Sequence, residues 1–392
     1  MSVSHRTDVA VIGLGAMGAA VLYQLAALGI DAVGIDQYAP PHDLGSSHGE
    51  TRITRCAVGE GEAYVPLALA SHRIWRDLES KTGLRLLEAC GCLIMGSTAN
   101  SVHHGKTDFL GRSIESASAF GIPYEIMSGE DVMHRFPQIQ GADDARACFE
   151  PGGGFVYPER CITAQLEGAG QKGATIVQAA VTGIAEHAGG VVVRTGAQII
   201  KARRAVVAAG AWTGQLLGDP FDRLLTVRRQ VLHWFPVPDS LYRPETFPAT
   251  IWMHGDSSDD YFYAFPSFPG TGLLKAATEQ YDLATTPNEV DRTVAPAESD
   301  AFHRDHLAGR LTSVGARAVR SMACLYTVTP DSGFIIDRHP RMERVTVISA
   351  CSGHGFKHSA GIGESVARML AGSDAGTTLA PFALSRYGVR PS

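Results

Sequence analysis

Residues 8–36 read DVAVIGLGAMGAAVLYQLAALGIDAVGID, and this stretch decides the fold. Val9 to Ile12 is a short apolar run of the kind found in strands buried on both faces. Gly13, Gly15 and Gly18 follow in G-x-G-x-x-G spacing. Ala16 to Leu28, opening with Ala16 and Met17, is rich in Ala and Leu, lacks Pro and stops at Gly29, which predicts a helix. A second strand, Asp31 to Ile35, ends in Asp36. Gly13 permits a tight turn, Gly15 lets the backbone approach a pyrophosphate, and Gly18 lets the helix pack closely on the strand. The pyrophosphate then meets free N–H groups at the positive end of the helix. Asp36 lies eighteen residues past Gly18, near the ~20 at which an acid meets a ribose hydroxyl. The glycines alone are weak evidence. Strand, glycines, helix, strand and terminal acid together predict a Rossmann-type dinucleotide-binding unit in an α/β chain.

The 392 residues are enough for a large core and two domains. A hydrophobic content of 45% with 19% charge fits a globular enzyme and not a disordered chain. The net charge of −6 gives no electrostatic case for nucleic acid or an anionic membrane. No apolar run reaches the ~18 residues of a membrane span. The start, MSVSHRTD, predicts no secretory signal, and the end, GVRPS, is not a peroxisomal tripeptide. The seven cysteines form no C-x-x-C pair, so neither a disulfide framework nor a metal site is expected, and the expected compartment is a reducing cytoplasm.

Beyond Asp36, Pro40 and Pro41 force an extended loop, and Gly45, Ser46, Ser47, His48 and Gly49 make it rich in donors. Thr51, Arg52 and Arg55 follow, beside the expected cofactor. Either arginine could hold a phosphate or a carboxylate in a fork, or simply form surface salt bridges. Tyr64 to Glu79 has helical periodicity, and Leu86 to Met95 reads as one strand carrying Cys90 and Cys92. Two cysteines on one face of a strand are more simply buried small side chains than ligands. SVHHGKTD, with His103 and His104, reads as a solvated loop. Ser128 with Asp131 resembles a helix start. Strand signals follow at Thr175 to Gln178, Val181 to Glu186 and Val191 to Thr195. Ala205 to Ala208 runs into Ala209, Gly210, Ala211 and Trp212, where small residues suggest backbone packed against a ligand. Residues 222–320 read as mostly β, and His303 with His306 as a solvated helical face. Near the end, a strand, a glycine-rich turn holding Gly353, His354, Gly355, Phe356 and Lys357, and a helix would close the cofactor site.

The motifs PPHDLGSSHGETRITR, VVAAGAW, YAFPSF, ACLYTVTPDSGFIID and SGHGFKHSAGIGE occur in this order. With them the chain resembles the monomeric sarcosine oxidase and N-methyltryptophan oxidase family of FAD enzymes, from Asp8 to about Arg386. The resemblance implies a glutathione-reductase-like, D-amino-acid-oxidase-like architecture. A discontinuous FAD domain, residues 1–85, 150–220 and 321–392, would carry a β-rich substrate domain, residues 86–149 and 221–320. It implies a thioether from Cys324 to the flavin. It also implies that Arg52 and Lys357 clamp the substrate carboxylate, and that Lys275 promotes reaction with oxygen. His48, Tyr263, Tyr326 and His354 match positions around flavin and substrate. Ser46, Thr51, Val181, Ala209, Gly210, Trp212, Gly353, Gly355 and Phe356 would line the cofactor.

The reaction so implied oxidises a secondary amine on an amino acid, with oxygen as acceptor, to aldehyde, primary amine and hydrogen peroxide, in a monomer. Two positions depart from the family. Glu279 stands where the family has His, and Ile251 where an apolar residue such as Met covers the substrate. In an extended strand, Glu279 would share a face with Lys275. It would pair with that lysine, face a substrate carrying an extra donor, or reach solvent. The rival readings are a cyclic imino acid oxidase of the proline or pipecolate type, an FAD dehydrogenase, and a non-catalytic flavin-binding protein.

Overall fold

The computed structural model describes residues 3–96, 102–268, 270–373 and 379–389. Its first strand, Val3–Ile12, leads through the glycine turn to the helix Ala16–Ala27 and the strand Ala32–Asp36. The strand starts earlier than its apolar run because residues before Val9 also pair, with Ile199 to Ala202. Five strands are parallel, in the order Thr175–Gln178, Ala32–Asp36, Val3–Ile12, Ile199–Val207, Met342–Ser349. The antiparallel strands Val181–His187, Gly190–Thr195 and Ile335–His339 complete an eight-stranded sheet. The helices Pro158–Gln171 and Ser359–Leu370 pack beside Ala16–Ala27. That central helix is buried on nearly every side. A buried parallel sheet needs such apolar cover on its faces.

The second sheet has nine strands, drawn from residues 92–150, 226–285 and 320–328. At its centre Thr226–Pro236, Leu273–Ala277, Tyr261–Phe265 and Ala249–Met253 are neighbours in that order. Phe235, Trp252 and Phe262 fill its core with Leu93. Two expectations change here. The strand Arg320–Val328, which carries Cys324 and Tyr326, pairs along Thr226–Pro236 and belongs to this second sheet. A boundary at residue 321 therefore cuts a strand. Leu86 to Met95 is not one strand either. Leu87–Glu88 and Cys92–Gly96 lie in different sheets, with Cys90 at the break. The helix start at Ser128 is as read, since Ser128 and Asp131 cap each other reciprocally. Among the described residues, no helix is long and apolar enough to cross a membrane.

Candidate active site

The glycine turn is built by close contact. A Cβ on Gly18 would come within 1.7 Å of the Gly13 carbonyl oxygen, and one on Gly13 within 2.5 Å of the Ala208 oxygen. Gly15 differs. Its Cβ would meet only the Ser47 hydroxyl, at 3.5 Å, because this residue faces a cleft. Gly15 caps the helix with no side-chain acceptor, which leaves helix N–H groups for an anion. Asp36 steadies the turn, with Oδ2 accepting from Leu14 N at 2.7 Å and Oδ1 from Tyr38 N at 3.0 Å.

The cleft has a volume of about 360 Å³. Gly13, Gly15, Ala16, Met17 and Asp36 line one end. Ser46, Val181, Ala209, Gly210 and Trp212 line its walls. Arg52, Tyr326, Gly353, Gly355 and Phe356 lie where it approaches a second cavity. Its length and its glycine cradle suit a dinucleotide. Gly18 lies outside the lining because it packs beneath the turn, and Thr51 and Lys357 line the second cavity instead.

Cys324 is buried just under the loop Gly45–Ser46, with its sulfur 3.6 Å from Arg52 Nη2 and 3.8 Å from the Ser46 oxygen. Burial alone would raise its thiol pKa. His48, Arg52 and Lys275 outweigh that and bring it down to about 6. His48 is buried here, with Nδ1 3.1 Å from the Met322 sulfur. Arg52 is held by the Ser46 and Thr51 carbonyls at 2.9 and 2.8 Å. Lys275 Nζ donates to Gly49 O, Thr51 O and Thr51 Oγ1 at 2.6, 2.8 and 3.2 Å. It also lies 4.7 Å from the Phe265 ring centre and 5.6 Å from that of Trp234. Burial, then Arg52, pushes its pKa well down. Three acceptors and two ring faces nonetheless suit the ammonium, since a neutral amine has only two N–H groups.

The second cavity is small, about 70 Å³. Ile251, Tyr263 and Phe265 form an apolar wall. At its polar end Lys357 Nζ donates to Glu60 Oε1 at 2.7 Å. Arg55 Nη2 reaches the two Glu60 oxygens at 3.1 and 3.0 Å. The cation that shares a partner with Lys357 is thus Arg55, while Arg52 lines both cavities and lies beside Cys324. Burial opposes ionisation of Glu60, but Arg55 and Lys357 win and hold its pKa well below the carboxylate range. Burial takes Lys357 down to about 8, against the pull of Glu60. His354 Nε2 faces the Ser332 oxygen at 2.9 Å, and its ring stacks on Phe334. Burial and Lys357 lower its pKa to about 4.

His103 and His104 are a clear correction. They are buried in this cavity, not solvated. Their rings lie 3.9 Å apart, and His103 packs edge-on against Phe109 and Tyr261. Ser101 of the same stretch lies outside the described residues. Glu279 is buried opposite them and not in solvent. Its Oε2 accepts from the Tyr281 hydroxyl at 2.6 Å, and it makes no ion pair with Lys275 among the described residues. Burial raises its pKa to about 7, although the Tyr281 and Tyr261 hydroxyls work against this.

The FAD dependent oxidoreductase family model matches residues 8–369. The chain is 35% identical to monomeric sarcosine oxidase of Streptomyces avermitilis, covering 97% of each chain. It is 32% identical to N-methyl-L-tryptophan oxidase of Yersinia pestis, covering 97% of this chain and 99% of that one. In structure it resembles NikD, an amino acid oxidase of nikkomycin biosynthesis, with a TM-score of 0.81 at 22% identity over 97% and 98% of the two chains.

The chain belongs to the FAD-dependent oxidoreductases.

The cleft of this FAD-dependent oxidoreductase has the glycine turn and the room to cradle FAD, and the second cavity adjoins it at Arg52, Gly353, Tyr326 and Phe356. Glu60 and the burial of His103 and His104 were not foreseen from sequence. Glu60 is one acid in a glycine-rich loop, with no local signal. The histidines sit in a polar stretch, and their aromatic neighbour Tyr261 lies more than 150 residues away.

Proposed function

We propose that this enzyme is an oxidase of small secondary amino acids, sarcosine or a close N-alkyl relative, using oxygen and releasing aldehyde, primary amine and hydrogen peroxide. One observation carries the reading. The cavity beside the FAD cradle ends in two cations, Arg55 and Lys357, that share a single carboxylate, Glu60. These three groups together carry one net positive charge, and Arg52 and Lys275 line the same cavity, which suits a substrate carboxylate. The cavity meets the cradle at Gly353, Tyr326 and Phe356, where the amine would sit. Ile251, Tyr263 and Phe265 exclude water from the space between, and a volume of about 70 Å³ favours a compact substrate over an indole. When bound, FAD supplies a two-electron acceptor for the amine's C–H bond.

The finer assignments belong to the same reading. Cys324, ionised with the help of His48, Arg52 and Lys275, attaches the cofactor. Lys275 holds a positive charge for the reaction with oxygen. The enzyme works as a cytoplasmic monomer with an FAD domain and a substrate domain, the second including the strand Arg320–Val328. The test is an anaerobic screen of N-methyl and cyclic amino acids for bleaching of the yellow colour. Sarcosine or N-methylalanine should bleach it, and air should restore it with release of peroxide. Bleaching by none of them would reject the reading, and bleaching by proline alone would move it to the cyclic class.

A further inference from the structure

An amino acid reaches this cavity as a zwitterion, and its ammonium must lose a proton before nitrogen can release electrons. Lys275 is unsuited to take that proton, since all its hydrogen-bonding directions are used on Gly49 and Thr51. His354 faces Glu60 and the Ser332 carbonyl, at the carboxylate end.

Glu279 is placed differently. A Cβ on Gly353 would come within 2.3 Å of its Oε1, so this carboxyl lies against the turn where cavity and cradle meet. Its Oε2 lies 3.3 Å from His104 Nδ1, yet that buried nitrogen has no hydrogen-bond partner among the described residues. Burial, with His103 next, holds the His104 imidazole in its neutral form. With the ring proton on Nε2, Nδ1 and the carboxylate oxygen are two acceptors facing each other. One proton between them turns the clash into an O–H···N hydrogen bond. Around Glu279 stand the hydroxyls of Tyr261, Tyr263, Tyr281 and Tyr326, with Glu60 and Lys357 farther off. Lys357 is already paired with Glu60, so it compensates Glu279 only in part.

Building on the function proposed above, we propose that Glu279 accepts the proton of the substrate ammonium, with His104 Nδ1 receiving the hydrogen bond of the protonated carboxyl. One N–H bond breaks and one O–H bond forms. The electron pair stays on nitrogen, and no oxidation occurs in this step. The carboxyl is poised for it, since its pKa of about 7 leaves it ionised in mildly alkaline solution. His103, His104 and Glu279 also offer three donor atoms within 4.8 Å of one another, as a metal site would. The one net positive charge of Lys357, Arg55 and Glu60 in the same cavity opposes a divalent cation there.

The test is anaerobic flavin reduction by sarcosine in the holoenzyme from pH 6 to 10, resolving the limiting rate from the dissociation constant. Wild type should reduce at a constant rate above about pH 7, with a loss below it as Glu279 protonates. In Glu279→Gln the plateau should vanish. The rate should then rise about tenfold per pH unit until the bound ammonium titrates. Glu279→His should restore a plateau. Methoxyacetate, a carboxylate without an amine, should shift the flavin absorption of wild type and Glu279→Gln at equal concentrations. A rate lowered evenly at every pH, or loss of methoxyacetate binding, would give Glu279 a structural role and overturn the proposal. One equivalent of zinc lost with Glu279→Gln would overturn it in favour of a metal site. If sarcosine and its relatives never bleach the wild type, the proposed function fails first.

Discussion

Cys324 can be examined without any substrate. Acid-precipitated wild-type protein should stay yellow, and Cys324→Ser should release its FAD to the supernatant; a colourless wild-type pellet would end the claim of attachment. Lys275 separates the two halves of turnover. Lys275→Met should leave flavin reduction nearly intact and slow reoxidation by about three orders of magnitude, since each 1.36 kcal/mol of lost charge stabilisation is about tenfold. The arginines divide the labour. Arg55→Lys loses the guanidinium contacts on Glu60, and the dissociation constant for sarcosine should rise about tenfold or more. Arg52→Lys should instead disturb Cys324, seen as incomplete attachment of FAD. Equal effects on substrate affinity would return Arg52 to the carboxylate. Lys357 adds a pH dependence of known sign. Its pKa is lowered to about 8, so the cation is present below that pH and lost above it. Methoxyacetate, which has no amine of its own to titrate, should bind with constant affinity up to about pH 8 and progressively more weakly beyond.

At the scale of elements, the turn around Gly353 supports both cavities at once. Its φ of +82° suits glycine, and an added Cβ would meet Glu279. Gly353→Ala should therefore bind sarcosine weakly while still holding FAD through Cys324, a split measurable by absorbance and by titration. The same scale shows what sequence reveals. The unit Val3–Asp36 was legible because strand, turn and helix are local and the turn permits so few residues. Strands such as Tyr261–Phe265 were legible because aromatic and apolar residues are continuous there. The strand Arg320–Val328 was recognisable as chemistry-bearing, but its sheet was not, because its partner Thr226–Pro236 is about ninety residues earlier. His103 and His104 show the converse limit. Polar composition says solvent, and only contact with Phe109 and Tyr261 says interior. The two arginines show the same limit. Arg52 and Arg55 are three residues apart, and only the fold shows which one meets Glu60.

Across the whole molecule the two sheets contribute different ends of one site. The first sheet presents the glycine turn, and the second presents Cys324, Tyr263 and Lys275. With the attachment removed, FAD becomes an ordinary ligand. The melting temperature of Cys324→Ser should climb with added FAD, gaining about 2.7 kcal/mol at a hundred times its dissociation constant. Wild type should be indifferent to added FAD. The membership of Arg320–Val328 in the second sheet has a consequence for the life of the protein in a cell. With the proposed attachment at Cys324, a newly made chain holds its two sheets together only by their own contacts until FAD arrives and ties one to the other. Chains made when riboflavin is scarce would therefore be the ones that proteases recognise, and the amount of enzyme would follow vitamin supply even at a constant rate of synthesis.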